Sequence, residues 1–213
     1  MLRRIFNLSV SCLIIIWSIG ASAFVPMVAR AVECPTLVAG DLFKVANSSA
    51  VYLLNADMER MYFPHSSVYQ TWYKDFSGVI ENPNTCVDNY PAPGKAPFGV
   101  NYRPGSRLIK VQISPSVYAV APGNTILKID SEAVARSLYG ENWASYVVDV
   151  ADVFWPNYAN KGSGLNEAVP HDGMLIGISG SGTVYQVKDG KRYVVDGVLR
   201  GDAQVVSTQV LNS

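Results

Sequence analysis

Histidine occurs only twice in these 213 residues, at His65 and His171, and cysteine only three times. A zinc site needs about four closely arranged Cys or His ligands, which so scattered a set cannot supply. The calcium-loop pattern of alternating acids, a Gly and a distal Glu is also missing. No Gly-x-Ser-x-Gly elbow is present, and nothing supplies a third group to orient His65 toward Ser66 or Ser67. Those serines read as helix caps. The Gly-rich GISGSGT at 177–183 has neither the Lys-Ser nor the following helix of a phosphate cradle. The residues therefore point away from an enzyme and away from any cofactor.

Basic clusters are equally scarce. Three of the 17 basic residues, Arg3, Arg4 and Arg30, lie in the first 31 residues, which hold no acid, leaving 14 basic against 17 acidic groups. A mildly acidic chain without a polybasic patch is not expected to bind nucleic acid, which requires clustered Lys and Arg on phosphates. Arg200-Gly201-Asp202 and the sequon Asn47-Ser48-Ser49 are short enough to read as coincidences.

The N-terminus has a basic start, an apolar stretch centred on Leu13 to Ile19, Pro26, and small residues at Ala29 and Ala31. This is the layout of a secretory signal peptide over residues 1–31. Cleavage is expected after Ala31, with Ala23 as the alternative site. An uncleaved anchor is the competing reading, because weakly apolar residues run from Val10 to Ala29, about the 20 that span a bilayer. After cleavage no membrane span is expected. Cys12 leaves with the signal, so Cys34 and Cys86 remain, and in an oxidising compartment they most simply pair. Two unpaired thiols are the alternative.

What is abundant is repetition. LFKVANSSAVYLL (42–54), LIKVQISPSVYAV (108–120) and LIGISGSGTVYQV (175–187) share a leading Leu and a Val-Tyr nine residues later. Leu42, Leu108 and Leu175 are spaced by 66 and 67 residues, as are Val51, Val117 and Val184, each followed by Tyr52, Tyr118 or Tyr185. Such periodicity marks repeated supersecondary units, and these nine residues are the expected repeat core. Turns follow at Asn55-Ala56-Asp57, at 121–124 and at 188–191, then β-favouring runs at 58–63, 125–129 and 191–195. Each unit thus opens as an antiparallel hairpin or meander.

The first two copies continue into short helices. Val68, Tyr69, Trp72, Tyr73 and Phe76 share a helical face in the first, with Ser66 or Ser67 as cap. In the second, Asp130 or Ser131 caps, Val134 and Leu138 face inward, and Gly140 stops the helix. Val68 matches Val134, and Trp72 matches Leu138. Both stripes are expected in the core. The third copy shows no helix-length amphipathic stretch, although VVSTQVL at 205–211 echoes VDVADVF at 148–154. The expected fold is α+β and β-rich, with a first unit at 32–104, a second at 105–172 and an abbreviated third at 173–213. The stretches 82–99 and 155–173, rich in Pro, Gly and Asn, read as ordered connectors because they carry rings.

Gly40-Asp41-Leu42-Phe43-Lys44, Arg60-Met61-Tyr62-Phe63-Pro64, Trp72-Tyr73-Lys74-Asp75-Phe76, Asn101-Tyr102-Arg103-Pro104-Gly105 and Leu138-Tyr139-Gly140-Glu141-Asn142-Trp143 together resemble uncharacterised repeat modules of secreted bacterial cell-surface proteins, surface-layer-like ones among them. The resemblance spans about residues 35–211. It implies a secreted or cell-surface protein without enzymatic activity, with cell-wall glycan or other surface proteins as partners. The alternative expectation is a carbohydrate-binding module using connector aromatics, with Tyr102, Trp155 and Tyr158 exposed for contact. A third, more distant reading is a fragment of an envelope hydrolase.

Overall fold

A computed structural model describes residues 33–158, 160–177, 183–195 and 206–207. The signal segment, the Arg200-Gly201-Asp202 tripeptide and the helix-less stretch after Val195 lie wholly or mostly outside the described residues. The chain divides into Met1–Glu33 and one body running from Cys34 to Ser213 that holds the repeats. Among the described residues no helix is long and apolar enough to cross a membrane.

The fold is β-rich, with three small sheets built to one plan. In the first copy β1 (Leu42–Val45), β2 (Val51–Leu54) and β3 (Arg60–Tyr62) form an antiparallel meander. The helix α1 (Ser66–Tyr69) then leads to β4 (Val79–Asn82), which returns parallel to β1. The second copy repeats the order with β5 (Leu108–Val111), β6 (Tyr118–Ala121), β7 (Thr125–Lys128), α2 (Glu132–Tyr139) and β8 (Val147–Val150). A short β9 (Asn160–Lys161) is added beside β7. In the third, β10 (Leu175–Gly177), β11 (Val184–Lys188) and β12 (Lys191–Val194) form the meander, and β13 (Val206–Ser207) lies parallel to β10.

Register is conserved across the copies. Phe43 faces Tyr52, Ile109 faces Tyr118 and Ile176 faces Tyr185, so the tyrosine of each Val-Tyr pair always meets the residue after the leading Leu. On the parallel side Phe43 meets Ile80, Ile109 meets Val148 and Ile176 meets Val206. The equivalent of Val148 is therefore Val206, one residue later than the echo of VDVADVF in VVSTQVL places it. Lys44 pairs with Glu81 at 2.8 Å and Lys110 with Asp149 at 2.8 Å, at matching register positions. In the third copy Gly177 stands opposite Ser207, which removes the ion pair.

The first strand of each copy is flanked on both edges, and successive side chains point to opposite faces. Leu42 thereby enters one core and Phe43 another. Leu42, Val51 and Leu53 pack with α1 against Ile109, Tyr118 and Val120 of the second copy. Leu108, Val117 and Ala119 pack with α2 against Ile176, Tyr185 and Val187 of the third. One face of each unit thus meets the opposite face of the next. Val and Tyr of each pair serve different faces and are half-buried, whereas Leu42, Leu108 and Leu175 are buried. The most deeply enclosed triplets are Phe43, Ile109, Ile176 and Leu54, Val120, Val187.

The free face of the first sheet is capped locally. Phe43 and Leu54 are covered by Leu37 and Tyr90. Cys34 and Cys86 are joined by a disulfide with Cα atoms 5.6 Å apart, which ties the leading segment to the connector. Arg60 Nη1 donates to the carbonyls of Val87 and Tyr90 at 2.9 and 2.6 Å, and Leu37 N donates to Tyr90 Oη at 3.1 Å. These contacts hold the Pro-rich connector in order.

The helices differ from expectation in one respect. Ser131 caps α2 by accepting from Val134 N, and Gly140 ends it with φ 78°. In α1 the N-cap position is His65 with no side-chain bond, and the helix stops after one turn. Ser67 instead shares a hydrogen bond with Tyr102 Oη at 3.1 Å. With the helix ended at Tyr69, Trp72 and Phe76 fall outside the buried stripe and are 42% and 50% exposed.

Candidate functional site

The early end of α1 leaves a cleft where the first two copies meet. It encloses about 270 Å³ and is lined by Met61, Trp72, Pro97, Asn101, Tyr102 and Asn124, among others. No Asp, Glu, His, Lys or Arg lines it. Trp72 is held by its indole Nε1, which donates to Asn101 O at 2.8 Å. Asn101 Nδ2 donates to Asn124 Oδ1 at 2.9 Å and to Asn157 O at 3.0 Å. Asn157 Oδ1 in turn accepts from Phe98 N at 2.8 Å. One amide thus ties together the first connector, the β6–β7 turn and the second connector.

Asn124 holds its place through backbone conformation. It sits in the left-handed region at φ 58°, following Gly123 at φ 70°, which Asn adopts more readily than most residues. The cleft offers an open aromatic ring, an apolar floor and side-chain amides.

The connector aromatics expected to be exposed are in the core instead. Tyr102 and Tyr158 are buried, and Trp155 is half-buried against the same cluster. Tyr158 Oη accepts from Tyr102 N at 3.1 Å, and burial pushes its phenol well above the ordinary range. Trp155 packs edge-on to Tyr118 and lies beside Tyr158, with centroids 5.6 and 6.1 Å away. Their positions in Pro- and Asn-rich loops resemble surface positions in sequence, but the loops lie across the junction of two sheets, so their rings fill it. Of the two exposed rings among the four in the helix stripe, Trp72 is the one that opens onto the cleft. Its spacing from Val68 gave the opposite expectation.

Two buried polar residues latch the units. Arg103 and His171 each stand two positions before a left-handed glycine, Gly105 at φ 74° and Gly173 at φ 87°. Those glycine backbones approach each other so closely that a Cβ on either would overlap the opposite connector. Arg103 Nε donates to Thr71 O at 2.6 Å, and its backbone N donates to Thr71 Oγ1 at 3.1 Å. Its terminal nitrogens have no protein partner. Burial first, and then Arg107, draw its pKa below the usual range.

At the second junction His171 Nδ1 donates to Asp172 O at 2.9 Å, so the neutral ring accepts from Tyr139 Oη at Nε2, 2.7 Å away. Burial pushes His171 below its ordinary value, opposed by the hydrogen bond and charge of Asp172. The folded state then binds fewer protons than the unfolded chain once pH falls below about 6.5. Stability is full above that pH and declines below it. Urea unfolding should show the native chain less stable at about pH 5.5 than at about pH 7.5. In His171→Gln the loss should largely vanish, and an unchanged slope would remove His171 as its source.

Comparison with known proteins returns no counterpart for this arrangement: no family model, no curated protein and no solved structure matches the chain.

Proposed function

We propose that the chain is an exported, non-enzymatic surface or cell-wall-associated repeat protein whose stacked units act as a structural and interaction scaffold. The observation that carries this reading is the face-to-opposite-face packing of three sheets in one register. Units joined in this way share cores that no single four-stranded sheet could close alone. The Cys34–Cys86 disulfide supports an oxidising destination, and the signal-like leader supports export.

Fractionation of bacterial cells producing the full chain, followed by N-terminal sequencing, tests the reading. The expected result is protein in the envelope or the medium beginning at Val32. A cytoplasmic chain retaining Met1, with both cysteines reduced, would refute export and with it the surface role.

A further inference from the structure

We propose that the cleft at the first junction is a binding site for a neutral saccharide ring. This goes beyond the scaffold reading and stands independently of it. Three observations converge on the ligand class. The lining carries no charge, so a charged ligand would be desolvated without a partner. Trp72, 42% exposed, keeps its ring open to solvent on the cleft wall while its Nε1 is already satisfied by Asn101 O. A side chain fixed in this way loses little freedom when a ligand covers it. A large, weakly polar ring face is the surface on which the C–H face of a sugar packs.

The third observation is an amide pair with unused capacity. Asn101 Nδ2 spends both of its protons, on Asn124 Oδ1 and Asn157 O. Among the described residues, Asn101 Oδ1 and Asn124 Nδ2 make no hydrogen bond. An acceptor on one cleft-lining amide and a donor on the other therefore remain, on two side chains held by the bond between them. Vicinal hydroxyls, each able to give and to accept, match such a pair, whereas a purely apolar ligand would leave both unpaired. The volume of about 270 Å³ is at the lower edge of small-molecule pockets, near 300 Å³, which suits one ring of an oligosaccharide with its neighbours outside.

Among the described residues the second junction does not repeat this arrangement. Leu138, the equivalent of Trp72, is buried at 3% in the core with Met174 and Ile176. The longer α2 carries that position inward, so the structure assigns one saccharide site, at the first junction.

Chitotriose, cellotriose and maltotriose titrated into the full chain by calorimetry and proton–nitrogen NMR provide the test. At least one should bind saturably below about 10 mM and shift the amide signals of Asn101 and Asn124. Trp72→Ala should abolish the response. Because that change also frees Asn101 O, Asn124→Gly serves as the second variant. Glycine keeps the left-handed turn at this exposed position, so the fold should survive, with Tm lowered only by the loss of the bond to Asn101, while affinity falls at least about fivefold, as expected for loss of a ligand hydrogen bond. Trigalacturonate should bind more weakly than the best neutral trisaccharide. The proposal is overturned by no saturable binding of any of the three, by unchanged affinity in both variants, or by a cleft that takes a proline-rich peptide and no saccharide.

Discussion

Replacing Ile109 by Ala is expected to lower the free energy of unfolding by about 3 to 4 kcal/mol, within the range for large-to-small changes at sealed core positions. Ile109 is fully buried on β5, an interior strand of the second sheet, between Tyr118 and Val148, and contributes to the core that receives Leu42 and Tyr69 from the first copy. Flanking strands on both sides leave the backbone little room to collapse into the space. Chemical unfolding followed by the fluorescence of variants that retain only Trp72 or only Trp143 of the four tryptophans should show the two copies losing structure together, because Trp72 reports on the first and Trp143 on the second. Ile113, 84% exposed in the following turn, is the control, and its replacement by Ala should change stability by no more than about 0.5 kcal/mol. A small effect at Ile109, or separate transitions for the two tryptophans, would mean that the units do not share a core.

Removing the disulfide is expected to cost about as much. The bridge closes a loop with a sequence separation of 52 residues, worth about 4 kcal/mol on the chain-entropy account. Its local role adds to that cost. Cys34 fastens the segment that carries Leu37 over Phe43 and Leu54, and Cys86 is fully enclosed. A Cys34→Ser, Cys86→Ser double variant should therefore melt well below the native chain and lose hydrogen-exchange protection first at Phe43 and Leu54. A double variant with unchanged Tm would show that the hydrogen bonds of Arg60 and Tyr90 hold the cap unaided.

Much of this architecture can be read in the sequence because it is local. The spacing of Leu42, Leu108 and Leu175 fixes where each first strand begins, and Val-Tyr nine residues later fixes the second. Ser131 and Gly140 bound α2 as their chemistry requires. The turn at 55–58 follows the sequence in place but not in detail. Asn55 Oδ1 accepts from Asp57 N and Glu59 N, while Met58 takes the left-handed conformation at φ 61°. The recurring Lys of the first two copies was visible, but its partners Glu81 and Asp149 were not, because a parallel strand arrives from over 30 residues away.

The misplaced residues share one cause. Trp72 and Phe76 obey helical spacing, but spacing governs burial only while the helix lasts, and α1 ends after Tyr69. Tyr102 and Tyr158 lie in loop-like sequence and would be exposed if the loops bordered solvent on both sides. The loops cross a junction between sheets, so the rings are enclosed.

From the sequence alone follow a thrice-written strand–turn–strand unit, its β-rich character, and the pattern of a leading Leu with Val and Tyr. Alternation along a strand states that neighbouring side chains part to opposite faces, and that is a local property. Tertiary structure alone decided that each face meets the opposite face of the next copy, that Arg103 and His171 are sealed between them, and that Trp72 stands open beside Asn101 and Asn124. Those outcomes depend on which distant surfaces come together, and burial is set by that meeting rather than by the order of residues along the chain.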